Sequence, residues 1–123
     1  MVLPYRFPRP VRLGLYALAV AILFAICIAP SDKLPTSGAG DRFEHAAAWF
    51  VLTVTGYVLA PRRRLAIPAF ALAFGLIIEG LQAVAPTGRH ADPLDLVADV
   101  AGVAVGVAAM ALVQWAWPRI RSA

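Results

Sequence analysis

Four long apolar windows, each running up to a proline, constrain this chain more than any other feature. They cover residues 13 to 29, 43 to 60, 65 to 85 and 94 to 117, and Pro30, Pro61, Pro86 and Pro118 follow them directly. A helix needs about 20 mostly apolar residues to cross the hydrocarbon core of a bilayer. Proline ends such a helix because it has no N–H for the ladder and pushes the residue before it out of helical geometry. Pro68 falls in the first turn of the third window, where no ladder bond is lost. The connections are short, so neighbouring helices are expected to run antiparallel. The predicted fold is all-α: one domain, residues 1–123, forming a polytopic, antiparallel bundle of four transmembrane helices.

Composition excludes the soluble alternatives. The chain is 61% hydrophobic and 15% charged, where soluble domains average about 45–50% and about 25%. A soluble domain of this size buries only about two thirds of its unfolded surface, too little to hide so much apolar area. The same numbers exclude a disordered tail, and the solitary Cys27 excludes a disulfide scaffold. The first window has the outline of a signal peptide, but its apolar stretch exceeds the usual h-region of about 7–15 residues. It is therefore read as a retained span.

Charge sets the direction. Arg6, Arg9 and Arg12 precede the first window, Arg62, Arg63 and Arg64 separate the second from the third, and Arg119 and Arg121 follow the fourth. No acid accompanies these eight bases. The other two loops and the adjoining span ends hold Lys33, Arg42 and Arg89 with all seven acids. The positive-inside rule then puts both termini and the Arg62–Arg64 loop in the cytoplasm, with Trp115 and Trp117 in the aromatic belt there. Short juxtamembrane basic clusters of this kind suit anionic lipid and give no sign of nucleic acid.

Polar residues inside spans are expensive, and here they gather at one end. Asp92, Asp95, Asp99, Gly102 and Gly106 are spaced three, four, three and four, so they share an arc of about 80° on the fourth helix. The two glycines form a small-residue seam that lets another helix approach. Packing inside the bundle explains that seam, and a membrane-protein partner or a second copy of the chain is the alternative occupant. His45, Trp49, Leu52 and Gly56 make a stripe on the second helix, and Glu79 and Gln82 share a face with Gly75 on the third. Glu79 and Asp99 fall at matching depths, about 9 Å and about 7–8 Å below the outer ends of their windows at 1.5 Å per residue. Antiparallel packing is thus expected to bring His45, Glu79, Gln82, Asp95 and Asp99 into one outer pocket. Arg89 and His90 would roof it and Arg42 would reach it from the opposite rim. The bland alternative is a structural lock, with Glu79 paired to His45 or Arg89.

The chemistry stays open at this point. His45 and Glu79 are the candidate acid–base groups, since a carboxyl or imidazole in apolar surroundings suits proton transfer. Arg42 and Arg89 suit an anionic headgroup. No nucleophile elbow, phosphate-binding glycine loop, paired-cysteine motif or spaced-histidine metal motif is present, so neither a cofactor nor a metal is assigned. The lower halves of the spans look dry, which argues against an ion path.

Three blocks resemble the VanZ-like family of small bacterial membrane proteins. Asp41-Arg42-Phe43-Glu44-His45 is similar to the family's Asp-Lys-x-x-His opening of the second helix. Glu79-Gly80-Leu81-Gln82, followed by Pro86 and Arg89, is similar to its Glu-x-x-Gln then Pro and Arg block. Asp92, Asp95, Asp99, Gly102 and Gly106 match its Asp-rich entry to the last helix. Arg42 stands where the family has lysine, which keeps the charge, and Asp99 stands where it has asparagine, which adds an acid. The resemblance implies a multi-pass protein of the bacterial cytoplasmic (inner) membrane with an outward-facing polar site. Its ligand-binding residues would be Asp41, Arg42, His45, Glu79, Gln82, Arg89, Asp92, Asp95 and Asp99. The implied theme is resistance to teicoplanin, a lipid-tailed glycopeptide antibiotic, through binding of that drug or of a lipid-linked envelope component. An enzyme acting on a lipid headgroup in the outer leaflet and a structural or accessory bundle are the alternative functions.

Overall fold

The computed structural model describes residues 3–28, 41–84 and 93–117. A 3-10 turn at Pro4–Arg6 leads into α1 (Arg9–Ile28), followed by α2 (Asp41–Leu59), α3 (Ala66–Val84) and α4 (Pro93–Ala116). No strand occurs among the described residues. Each apolar window corresponds to one helix, and the ends differ for stated reasons. α1 starts at Arg9 rather than Leu13 because Pro10 is tolerated in a first turn, and the Arg12 N–H already bonds the Pro8 carbonyl at 3.1 Å. α2 and α4 end one residue before their windows do, because Ala60 and Trp117 precede prolines and leave helical geometry.

Among the described residues three helices are long and apolar enough to cross a membrane: Arg9–Cys27, Ala66–Val84 and Pro93–Ala116. The apolar stretch of α2 is shorter, Phe43–Leu59, because Asp41, Arg42, Glu44 and His45 occupy its first two turns. Only 6% of the α1 window is buried inside the protein. Leu18 and Ile22 on α1, Leu76 and Ile77 on α3, and Val105 and Leu112 on α4 are all exposed. An apolar belt shared by three helices far exceeds the isolated patches that soluble monomers tolerate.

Long-range hydrogen bonds set the helix directions. His45 near the start of α2 meets Asp99 near the start of α4, and the Gln114 amide near the end of α4 donates to the Pro61 carbonyl just past α2. These two helices therefore run side by side in one direction. α1 and α3 run together in the other: Gln82 near the end of α3 donates to the Cys27 carbonyl near the end of α1, and Arg12 at the start of α1 donates to the Leu59 carbonyl at the end of α2.

α4 lies closest to α2, and the small-residue seam explains why. A Cβ added at Gly102 would overlap the Ala46 carbonyl oxygen, and one at Gly106 would come within 2.9 Å of the Thr53 side chain. The Gly102/Gly106 face is thus filled by α2 of the same chain, as packing inside the bundle requires, and any other helix would have to displace α2 to reach it. Beside this seam Trp49, Leu52, Phe74, Ile78 and Val103 form the main apolar core, and Tyr57, Ile67 and Met110 form a smaller one towards the arginine loop.

The lower halves are less dry than the sequence suggests. Thr53, Tyr57 and Gln114 are buried there. Thr53 donates to the Trp49 carbonyl at 2.8 Å, Tyr57 to the Arg64 carbonyl at 2.6 Å, and Gln114 to the Pro61 carbonyl at 3.3 Å. Helix ends leave carbonyls without ladder partners, and in a bilayer each must find a donor inside the protein. Gln82, Arg12 and Gln114 supply such donors from a neighbouring helix. Gln82, Arg12 and Gln114 thus act as joints, whereas Thr53 bonds within α2 and Tyr57 holds the following loop.

Candidate functional site

The polar end of the bundle is assembled from the first turns of α2 and α4 and the last turns of α3. His45 is the fifth residue of α2, and its i+4 spacing to Trp49 puts both on the buried face. The two rings stack at 5.6 Å with 13° between planes, and Trp49 stacks in turn on Phe74 of α3 at 5.7 Å. The Trp49 indole N–H donates to the Ala71 carbonyl of α3 at 2.8 Å. The imidazole therefore stands on a rigid aromatic base that spans two helices.

Asp99 is the principal partner of that imidazole. Nδ1 of His45 lies 2.8 Å from Oδ1 of Asp99, and Nε2 lies 3.9 Å from Oδ2 of Asp95. An ionised carboxylate accepts only, so an ionised Asp99 requires the proton on Nδ1. His45 is 5% exposed, Asp99 1% and Asp95 8%. The second oxygen of Asp99, Oδ2, has no hydrogen-bond partner among the described residues. Asp95 sits in the first turn of α4, where a negative charge is favoured by the helix dipole, and Pro93 starts that helix at a position suited to proline.

Gly75 makes room for this arrangement. A Cβ there would meet Oδ2 of Asp99 at 3.0 Å and Nε1 of Trp49 at 3.3 Å. The missing side chain lets one polar group from α4 and one from α2 reach the same point on α3. This contact also corrects the expected register. The sequence pairs Glu79 with Asp99 by depth, whereas the structure sets Asp99 against Gly75, one turn deeper. With α3 and α4 antiparallel, Glu79 then falls opposite Asp95 and towards the mouth, where it is half-buried.

Gln82 also has a structural partner. It is buried, and its amide is committed to the Cys27 carbonyl on α1 at 3.0 Å. That bond gives a donor to a carbonyl at the end of α1, so Gln82 joins two helices, while its side-chain oxygen has no hydrogen-bond partner among the described residues. Arg89, His90 and Asp92 lie outside the described residues, as do the side chains of Asp41 and Arg42. Of the nine residues expected to bind ligand, the structure thus brings His45, Asp95 and Asp99 together, with Glu79 half-buried on α3. Among the described residues no group of three or more His, Cys, Asp or Glu side chains is arranged to hold a metal ion.

The contributions of Trp49 and Gly75 go beyond the sequence reading. Both stood in the buried stripes, but a stripe shows which face is buried and not which carbonyl an indole will reach. The local signal available was a glycine level with a tryptophan on the facing helix, which marks a close approach.

Comparison with family models, with curated proteins and with solved structures gave no match for this chain.

Proposed function

We propose that this is a VanZ-like integral membrane protein in which all four helices cross the bacterial cytoplasmic membrane, with both termini on the cytoplasmic side. Its polar end would face outwards and take the charged head of a membrane-embedded amphiphile, either a lipid-linked envelope component or a lipoglycopeptide. The observation that carries this reading is the buried His45–Asp99 pair, 2.8 Å apart, with Asp95 at its rim. Ionisable groups placed inside a membrane domain point to function by default, and this set occupies one end of the bundle only.

Two further features support the topology. α2 starts beside the start of α4 and ends beside its end, so a bilayer crossed by one is crossed by the other despite the shorter apolar stretch of α2. The exposed Arg62, Arg63 and Arg64 lie at the end opposite His45, which suits the positive-inside rule. In this reading Asp95 and Glu79 meet the ligand, while His45 and Asp99 lie behind them and fix the charge at the floor. Arg42 and Arg89, by their positions in the sequence, would hold the anionic part of the head.

The test is teicoplanin susceptibility of a sensitive Gram-positive host expressing the chain, beside Glu79→Gln and Asp95→Asn at equal membrane levels. Protection by the wild type that both variants lose supports a working outer site. Equal protection by all three reduces the cluster to a structural lock. The absence of protection by a well-expressed wild type removes the drug theme in that host.

One observation favours a second reading, an enzyme on a lipid headgroup. A histidine held through Nδ1 by a buried acid, with Nε2 on the side of Asp95, has the arrangement of a general base. A lipid product seen in extracts with wild type and lost with His45→Gln would establish it.

A further inference from the structure

The opposite end of the molecule carries a second site. A cleft of about 290 Å³ opens between α4 and the arginine loop, lined by Tyr57, Arg64, Val107, Met110, Gln114 and Trp115 together with Ala111. From Gln114 to Val107 it follows α4 for about 10 Å at 1.5 Å per residue. Val107, the buried Met110 and the exposed Ala111 give it an apolar wall, and the exposed Arg64 and Trp115 stand at its rim. Two of its polar groups are already committed: Tyr57 holds the Arg64 carbonyl and Gln114 the Pro61 carbonyl. Those bonds fix the loop backbone and leave the Arg64 side chain, which is exposed, at the rim.

No acid from the described residues lines the cleft beside Arg64. Among the described residues this end also carries Arg6, Arg9, Arg12, Arg62 and Arg63, and no acid. A guanidinium on an anchored backbone, above an apolar groove and beside an indole of the kind found in aromatic belts, is complementary to an anion joined to a hydrocarbon chain. We propose that this cleft binds one anionic phospholipid of the leaflet on the arginine side. Its phosphate sits on Arg64, and the first part of an acyl chain runs along Val107, Met110 and Ala111. The proposal rests on membrane insertion and on nothing at the His45 end.

Trp115 lines the cleft and makes the test direct. Full-length protein carrying Trp117→Phe is reconstituted into phosphatidylcholine vesicles, and flotation confirms insertion. Trp49 is fully buried, so quenching by lipids with brominated acyl chains reports on Trp115. The binding constant of brominated phosphatidylglycerol relative to brominated phosphatidylcholine is then measured. The expected ratio is about fivefold in favour of phosphatidylglycerol, the preference that one nearby arginine confers at a membrane surface. Arg64→Gln should bring the ratio close to one. It leaves the Tyr57 bond to the Arg64 backbone carbonyl in place, so the loop keeps its anchor. Ala111→Phe, which fills the apolar wall with all charges intact, should also abolish the preference.

Arg63→Gln is the control, because Arg63 is exposed but does not line the cleft. Equal losses from Arg63→Gln and Arg64→Gln would reduce the site to diffuse charge and overturn the proposal. Competition by glycerol phosphate as effective as that of the lipid would make the ligand a free anion, and would overturn it too. Failure to float with the vesicles would overturn both this site and the membrane reading, whereas a ratio near one in the wild type would overturn this site alone.

Discussion

Gly102→Ala is the smallest change that separates the packing of this bundle from the general behaviour of a helical glycine. The added methyl would overlap the Ala46 carbonyl oxygen and lie 3.0 Å from both the Ala46 carbonyl carbon and the Phe50 nitrogen. All three are backbone atoms of α2 and cannot rotate aside, so the two helices must part. Overpacking of this kind costs about 1–3 kcal/mol. Alanine also favours a helix over glycine by about 1 kcal/mol, which would obscure the result taken alone. Gly14→Ala removes that ambiguity, because a Cβ there meets nothing within 4 Å and the variant shows the propensity gain by itself. The difference between the two variants is the packing term, expected at the upper end, about 3 kcal/mol. Equilibrium unfolding in mixed micelles, followed by circular dichroism, measures both. Gly102 is one turn past Asp99 and Ala46 follows His45, so the same parting should lengthen the His45–Asp99 contact and weaken the outer site. Stabilities of Gly102→Ala and Gly14→Ala within about 0.5 kcal/mol would refute the close α2–α4 approach.

Two further substitutions test separate joints. Gln82→Leu removes the hydrogen bond to the Cys27 carbonyl, so thermal unfolding in detergent should show a loss of about 1 kcal/mol. An unchanged midpoint would mean that Gln82 does not tie α3 to α1. Gly75→Ala brings a methyl to 3.3 Å from the Trp49 indole nitrogen and 3.0 Å from Asp99 Oδ2, and should shift the Trp49 indole N–H resonance far more than Gly14→Ala does. Equal spectra would remove Gly75 from the floor of the site.

The helices were legible because bilayer length, apolar runs and proline breaks act locally, and each leaves its mark on consecutive residues. The α4 seam was legible for the same reason: Asp95, Asp99, Gly102 and Gly106 follow helical spacing, and all four are buried. The joints were not. Gln82, Arg12 and Gln114 donate to carbonyls on other helices, and which carbonyl each reaches depends on axial offsets that no single helix encodes. The same offsets set Asp99 against Gly75 and tie the Gln82 amide to α1. The N-terminal 3-10 turn escaped an apolar count because it is built on Pro4 and short-range backbone bonds from Arg6 to Leu3 and from Phe7 to Pro4.

The claim that the His45 end of the bundle faces outwards is tested most directly by thiol labelling of intact cells. Leu94 is exposed beside Asp95, and Arg63 is exposed in the arginine loop. In a Cys27→Ser background, Leu94→Cys and Arg63→Cys each present one thiol at opposite ends of the protein. A membrane-impermeant maleimide added outside should label Leu94→Cys at once and Arg63→Cys only after permeabilisation. The reverse pattern would place His45, Asp95 and Asp99 on the cytoplasmic side, away from any outer-leaflet headgroup or lipoglycopeptide, and would contradict the proposed function.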